Sequence, residues 1–225
     1  MAEKNKNVSA PAPEETLSKN EALILKYKNV IICAVAALVI IVAGVSLYRN
    51  YVSGPNEMKA STALGKAQDL FQNQQYELAL NGDSTGTAGL LQIASEYSST
   101  DAGNLANLYA GLCYANLDKW QEAAQYLEKF SGADDQMISP AAMGALGNAY
   151  AHLDQLDKAV STLVKAAQKA DNNSLSPTFL IQAGQILESQ NKKDEALKLY
   201  KQVKEKYFQS MQYQTIDEYI ERASK

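Results

Sequence analysis

Histidine, arginine and cysteine are scarce in this chain of 225 residues, and each scarcity removes a class of chemistry. His152 is the only histidine, so a multi-histidine metal site cannot be assembled, and no nucleophile is placed to complete a triad with it. The two arginines are Arg49 and Arg222. From residue 50 onward 15 Lys and Arg stand against 21 Asp and Glu, a net charge of −6 that suits nucleic acid poorly. Cys33 lies in an apolar run and Cys113 in an apolar helical pattern, so no intrachain disulfide is expected and Cys113 reads as a small hydrophobe. The glycine-bearing loop from Gly82 to Gly89 lacks the Lys-Ser/Thr that a phosphate loop requires, and no apolar strand precedes it. Asp134-Asp135 and Asp154/Asp157 have turn and capping roles, without the alternating oxygens of a calcium loop. The expectation is a chain with no catalytic, metal-binding or cofactor-binding residues, no small-molecule substrate, and no enzyme activity.

One long hydrophobic run is present. Val30 to Leu47 contains no charge, amide or proline, and eleven of its eighteen residues are Val, Ile or Leu. As a helix it spans about 27 Å, close to the thickness of a bilayer's hydrocarbon core, and its composition favours insertion. It is longer than the apolar core of an ordinary signal peptide, and Cys33 follows Ile32 rather than a small residue, against a lipoprotein. The expected anchor is a retained transmembrane helix over 30–48. Lys26 and Lys28 before it, with Arg49 after it, favour a cytoplasmic N-terminus. Residues 1–29, with Ala10-Pro11-Ala12-Pro13 among them, have little to bury and are expected to be a mostly disordered cytoplasmic tail.

The rest of the chain is self-similar. Gly111 aligns with Gly147, Tyr114 with Tyr150, Leu117 with Leu153, Trp120 with Leu156, Ala123 with Ala159 and Leu127 with Leu163. Gly184, Leu187, Ala196, Tyr200 and Val203 give a third copy. The order resembles the tetratricopeptide repeat, which implies an all-α solenoid of paired antiparallel helices. The small residues let the paired helices approach, while Tyr114 and Tyr150 fill the space between units. Ser139-Pro140 and Ser176-Pro177 read as helix starts, Asp118 and Asp154 as caps of the second helices, and Asp118/Gln121 and Thr215/Glu218 as capping boxes. Pro55 to Gln75 is expected to be one helix and Thr87 to Tyr97 another, with the glycine loop between them. The division is therefore a degenerate first unit over 55–103, three repeats over 104–206, and a C-terminal capping helix within 207–225.

In such a stack the first helices of successive units line a concave groove. The expected protein-binding residues are Leu105, Leu108, Tyr109, Leu112 and Asn116 from one unit, Asn148 and His152 from the next, and Ile181 and Gln185 from the third. Ala141, Gly144, Ala151, Thr178, Gln182 and Glu188 fall on the same face. Cationic positions of the carboxylate-gripping repeats are occupied by Ala141 and Gly144, so a groove of small, aliphatic and amide residues suits an apolar protein segment, extended or helical. Packing of Leu105, Leu108 and Leu112 into the core is the competing reading.

An expected N-terminal cytoplasmic tail, one span ending near Tyr48-Arg49, a long helix directly after it and tandem tetratricopeptide units resemble the bacterial ancillary SecYEG translocon subunit (YfgM-like) family in its Bacteroidetes form. The resemblance covers residues 20–225. It implies an inner-membrane anchor, a periplasmic repeat domain, and partners among the Sec translocon, periplasmic chaperones and exported chains. Alternatives are a cell-envelope assembly adaptor, similar to the Tol-Pal coordinator or the outer-membrane assembly proteins, and an anchored import receptor if the topology is inverted.

Overall fold

The computed structural model describes residues 19–48, 51, 53–84 and 86–225. It divides into two units, 1–52 and 53–225. The first contains one helix, α1 (Lys19–Tyr48). Within it Tyr27–Leu47 has a mean hydropathy of 3.1. By length and composition it could cross a membrane, a test that an N-terminal signal sequence also passes. Residues 19–29, expected to belong to a disordered tail, are instead the first turns of this helix. The Pro-containing part of that tail lies outside the described residues.

The second unit is helical throughout, apart from turns and one isolated β-bridge, among the described residues. Three hairpins follow one another: α5 (Asp101–Asn116) with α6 (Trp120–Lys129), α7 (Ile138–His152) with α8 (Leu156–Ala170), and α9 (Ser176–Ser189) with α10 (Lys193–Lys206). Each pair closes where the sequence offers no Cβ. A Cβ on Gly111 would lie 2.6 Å from Leu127 Cγ, and one on Gly147 would lie 2.7 Å from Leu163 Cγ. At Gly184 it would enter the ring of Tyr200. Ala123, Ala159 and Ala196 are fully buried on the opposing helices.

The same turn ends the first helix of every unit. Asp118, Asp154 and Asn191 have φ of 57°, 58° and 60°. The Asp118 amide donates to Ala115 O at 3.2 Å and the Lys119 amide to Tyr114 O at 2.9 Å; equivalent pairs occur at Asp154 and Asn191. Two such bonds around a left-handed residue form a Schellman stop, and Asp and Asn tolerate that conformation better than most residues. These aspartates therefore end the preceding helix rather than capping the next. Lys119 and Gln155 hold the N-cap positions of α6 and α8 and make no side-chain capping bond. The Thr215/Glu218 box is also absent: Thr215 Oγ1 donates back to Gln212 O.

Gln74, at φ 60°, makes the same turn in the first unit. It joins α2 (Gly54–Gln72) to α3 (Tyr76–Asn81), a helix that the sequence pattern does not announce. The glycine loop then interrupts this second helix, which resumes as α4 (Leu90–Glu96). Gln74 and Asp118 are 44 residues apart, whereas Asp118 and Asp154 are 36 apart, so the loop accounts for the excess. A Gly82↔Ala88 bridge closes it, with the Thr87 amide donating to Asp83 Oδ1 at 2.9 Å. The loop is thus an insertion within a helix, not the connection between two helices.

Helix starts are fixed by residues other than the expected serines. Asp135 accepts from the backbone amides of Met137 and Ile138 at 2.8 and 2.6 Å and also receives the Ser139 hydroxyl. Asn172 Oδ1 accepts from Ser174 and Leu175 before α9. Ser139 and Ser176 lie inside their helices and bond backward, Ser176 Oγ donating to Ala167 O at 2.8 Å. At α5, Thr100 Oγ1 accepts from the Gly103 amide at 3.0 Å, and Glu57 of α2 accepts from the amides of Asp101 and Ala102 at 2.7 and 3.0 Å. A carboxylate from one unit thus completes the positive end of the next unit's first helix.

At the C-terminal end, the 3-10 turn Met211–Gln214 leads into α11 (Ile216–Ser224). Ile216 and Ala223 join Tyr200 and Val203 in the core. Arg222 closes the end of the stack with a two-point contact to Glu188, at 3.0 and 2.5 Å, and Tyr200 donates to the same carboxylate. The guanidinium holds the Glu188 carboxyl below its ordinary range.

Because Tyr200 is buried and its hydroxyl is bonded to Glu188, its ring cannot yield. Gly184→Ala should therefore lower stability by about 1–3 kcal/mol despite the better helix propensity of alanine, as urea unfolding will measure. The Ser139 hydroxyl, with the amides of Met137, Ser139 and Ile138, holds the Asp135 carboxyl down at about 2. A depressed folded pKa contributes stability that is complete above the ordinary value of 3.8 and fades as pH falls through about 2. Thermal melts between pH 5 and pH 2 should show a smaller acid-dependent loss for Asp135→Asn than for the unaltered chain.

Candidate protein-binding cleft

The first helices of successive units supply one wall each. On α5, Leu105, Leu108, Tyr109, Leu112 and Asn116 follow a stripe at helical spacing; on α7, Ile138, Ala141, Ala145, Asn148 and His152 do the same. Along this face lie two hollows that share no lining residue, the two stretches of one candidate cleft. The apolar stretch, about 650 Å³, is closed on its third side by Gln68 and Phe71 of α2 and is lined by Leu105, Tyr109, Leu112 and Ile138. Phe71 meets Tyr109 edge to face at 5.3 Å between centroids, which sets the position of both rings. The other stretch, about 470 Å³, is polar only by the side chains of Asn116, Asn148, His152 and Gln182; Trp120, Ala115, Ala145 and Ala151 complete a lining that is mostly apolar.

Seven of the nine expected binding residues line one stretch or the other. Leu105, Leu108, Tyr109 and Leu112 belong to the apolar stretch; Asn116, Asn148 and His152 belong to the polar one. Leu108 is buried in the core with Ala123 and Leu127, Leu105 and Leu112 pack half-buried against the same cluster, and Leu105 also packs against the core of the first unit, so the packing reading holds in part for all three. Ile181 is buried with Phe179 and Leu180, and Gln185 is exposed but borders neither stretch. Gln182 represents α9 instead. Among the other residues of that face, Gly144 is buried against the Phe179 ring, Thr178 accepts a hydrogen bond from Gln212, and Glu188 is engaged by Arg222.

Sequence reasoning misses Phe71, Gln68 and Trp120 as cleft residues, and it ranks Gln182 below Ile181 and Gln185. Repeat register places Trp120 only as the counterpart of Leu156. In the structure its ring lies flat on His152, with centroids 3.6 Å apart and planes 1° from parallel. Its being the chain's only tryptophan is the available signal. Gln182 lines the cleft while its Oε1 is buried and has no hydrogen-bond partner among the described residues. Gln155 and Gln190 carry similar unpartnered oxygens, but at the inter-helix turns.

Charge is distributed unevenly. Helices α5, α7 and α9 contain no Lys or Arg, and their only Asp, Glu and His residues are Asp101, Glu188 and His152. Their partners α6, α8 and α10 carry nine lysines and six acids. Among the described residues no group of three His, Cys, Asp or Glu could hold a metal. Burial pushes the Cys113 thiol up to about 12, away from thiolate chemistry.

The Trp120–His152 stack generates a direct expectation. His152→Ala should shift Trp120 emission to the red as the indole face is uncovered, at a cost of about 0.5–1.5 kcal/mol in stability. Steady-state fluorescence and a parallel urea titration measure both.

Solved structures with the same arrangement come from Podosopora anserina. The kinesin light chain protein of nearly identical TPR-like repeats matches with a TM-score of 0.56 and 16% identity, over 73% of this chain and 85% of that one. A point variant of that protein matches with a TM-score of 0.57 and 15% identity, over 77% and 87%. At that identity the likeness shows the fold alone: a TPR-like solenoid, an architecture suited to protein–protein interaction. No curated protein matches. The family model described as T7SS, ESX-1 secretion system protein EccA1, N-terminal domain, matches residues 49–216, and the chain belongs to that family.

Proposed function

We propose that the chain is a membrane-anchored tetratricopeptide scaffold that holds a segment of another protein in the cleft between α2, α5 and α7. The observation carrying this reading is the cleft wall itself: apolar and amide side chains contributed at helical spacing by consecutive first helices, with volumes that accept side chains of a polypeptide. Tyr27–Leu47 supports attachment to a membrane, and Lys26 and Lys28 support a cytoplasmic N-terminus with the repeats outside. In this reading the protein is not an enzyme; it serves the inner membrane as an ancillary subunit of the translocon and its periplasmic chaperones, beside newly exported chains. The family's name, a secretion-system protein, agrees in kind with that setting.

The test is site-specific photocrosslinking in intact cells from Tyr109 and, as a control, from exposed Lys201 on α10. A partner captured from Tyr109 and not from Lys201 is expected, with translocon or chaperone subunits among the products. Equal capture from both sites would overturn the cleft, and capture of unrelated partners would remove the translocon assignment. Protease digestion of right-side-out and inverted vesicles should cut the repeats only in the former; the opposite pattern would reverse the topology.

A further inference from the structure

We infer that the hollow between α2 and the glycine loop seats the headgroup of an anionic phospholipid, its phosphate held between Lys59 and Lys66. This rests on the membrane-anchored reading, not on the cleft, and holds with the repeats on either side of the membrane.

Lys59 and Lys66 lie two helical turns apart on one face of α2, about 10.5 Å along its axis. Ala63 lies between them on that face, and its methyl group leaves the space open. Opposite stand Gly86 and Ala88 of the glycine loop, where a Cβ on Gly86 would meet nothing within 4 Å. The hollow so formed measures about 390 Å³, room for a phosphate and its glycerol. Thr62 also borders it, but its hydroxyl donates to Met58 O at 2.8 Å. The two ammonium groups are the side-chain donors that remain.

Charge sets this hollow apart. The hollow beside Phe130 has one lysine in its lining, Lys169, together with Glu128. The hollow beside α2 is lined by two lysines and no acid. Neither Lys59 nor Lys66 makes an ion pair or hydrogen bond among the described residues. The nearby acids are engaged elsewhere: Glu57 accepts from the amides that open α5, and Asp83 Oδ1 accepts from the Thr87 amide. Asp69, one turn beyond Lys66, lies outside the lining and forms no ion pair with it. A phosphate set between the lysines exchanges their mutual repulsion for two charge-assisted contacts.

Position along the chain selects an anion carried by the membrane. From Leu47, the end of the apolar stretch, to Gly54, where α2 begins, is seven residues, at most about 25 Å of extended chain. In the anchored chain this tether keeps lipid headgroups at high local concentration, so that a weak site is filled. Two lysines strengthen attachment to an anionic surface about thirtyfold. Met58, 72% exposed at the edge of the hollow, adds an apolar side chain suited to the boundary between headgroups and acyl chains.

The full chain is reconstituted in nanodiscs of phosphatidylcholine alone, or of phosphatidylcholine and phosphatidylglycerol in equal parts. Acylation of each lysine by a neutral amine-reactive ester is followed by peptide mass spectrometry. Phosphatidylglycerol should slow Lys59 and Lys66 about threefold or more and leave exposed Lys201 unchanged, an effect that high salt removes. Lys66→Gln, an exposed substitution whose folding is checked by circular dichroism, should return Lys59 close to its rate in phosphatidylcholine, because both lysines share one headgroup. Equal rates for Lys59 and Lys66 in the two nanodiscs would overturn the inference and leave the anchor standing. Equal slowing of Lys201 would reduce the effect to diffuse surface charge and overturn it as well. Inorganic phosphate reproducing the protection in phosphatidylcholine nanodiscs would assign the hollow to a free anion and overturn the lipid. Release of the chain from vesicles by alkaline carbonate would remove the anchor and the lipid site together.

Discussion

The close approach of two helices at a residue with no side chain is the constraint on which the second unit depends. Gly111, Gly147 and Gly184 sit where Leu127, Leu163 and Tyr200 of the paired helix need the space of a Cβ. Each large residue is thereby buried against backbone, and the buried alanines at 123, 159 and 196 draw the second helix in from its own side. Interiors are packed densely enough that such a contact admits little adjustment. Repeating it at nearly constant intervals makes each hairpin resemble the last. Like faces then stack on like, and the first helices come into line along one surface.

The turn between paired helices is equally repetitive, and its chemistry explains the residues found there. A first helix must stop within a residue or two for its partner to return at the right level, and a left-handed residue provides that stop. Asp118, Asp154 and Asn191 supply it, and Gln74 supplies it in the first unit. That shared turn identifies α2 and α3 as a genuine helix pair whose second member has been opened by the glycine loop. Glu57 then ties this unit to the next by accepting two amides at the start of α5.

Separation of charge follows from the same stacking. The first helices α5, α7 and α9 are packed between neighbouring hairpins and are built almost wholly from small, aliphatic and amide residues, whereas α2 at the start of the stack carries Glu57, Lys59, Lys66 and Asp69. Second helices keep a broad solvated face and carry the lysines and acids. Helices α5, α7 and α9 bring no Lys, Arg, Asp or Glu side chain to the cleft, and the charged helices α2 and α6 contribute only Gln68, Phe71 and Trp120 to its wall.

Periodicity and residue type alone determined the helical class, the registers of the three hairpins, and the apolar helix near the N-terminus, because glycine, alanine and tyrosine recur at fixed positions for packing reasons that are local to each hairpin. The placement of seven groove positions along the cleft was likewise legible, since one helix face at a known register is a local property. Tertiary structure decided the rest. A six-residue helix such as α3 is too short to show a period, so the loop after it looks like a connection. An aspartate before a helix carries the same sequence signal whether it ends one helix or starts the next, and only backbone φ separates the two. Phe71, Trp120 and Gln182 reach the cleft from three different elements, and Ile181 is withdrawn from it by the packing of its own unit against its neighbours; no spacing within a single repeat encodes contacts made between repeats.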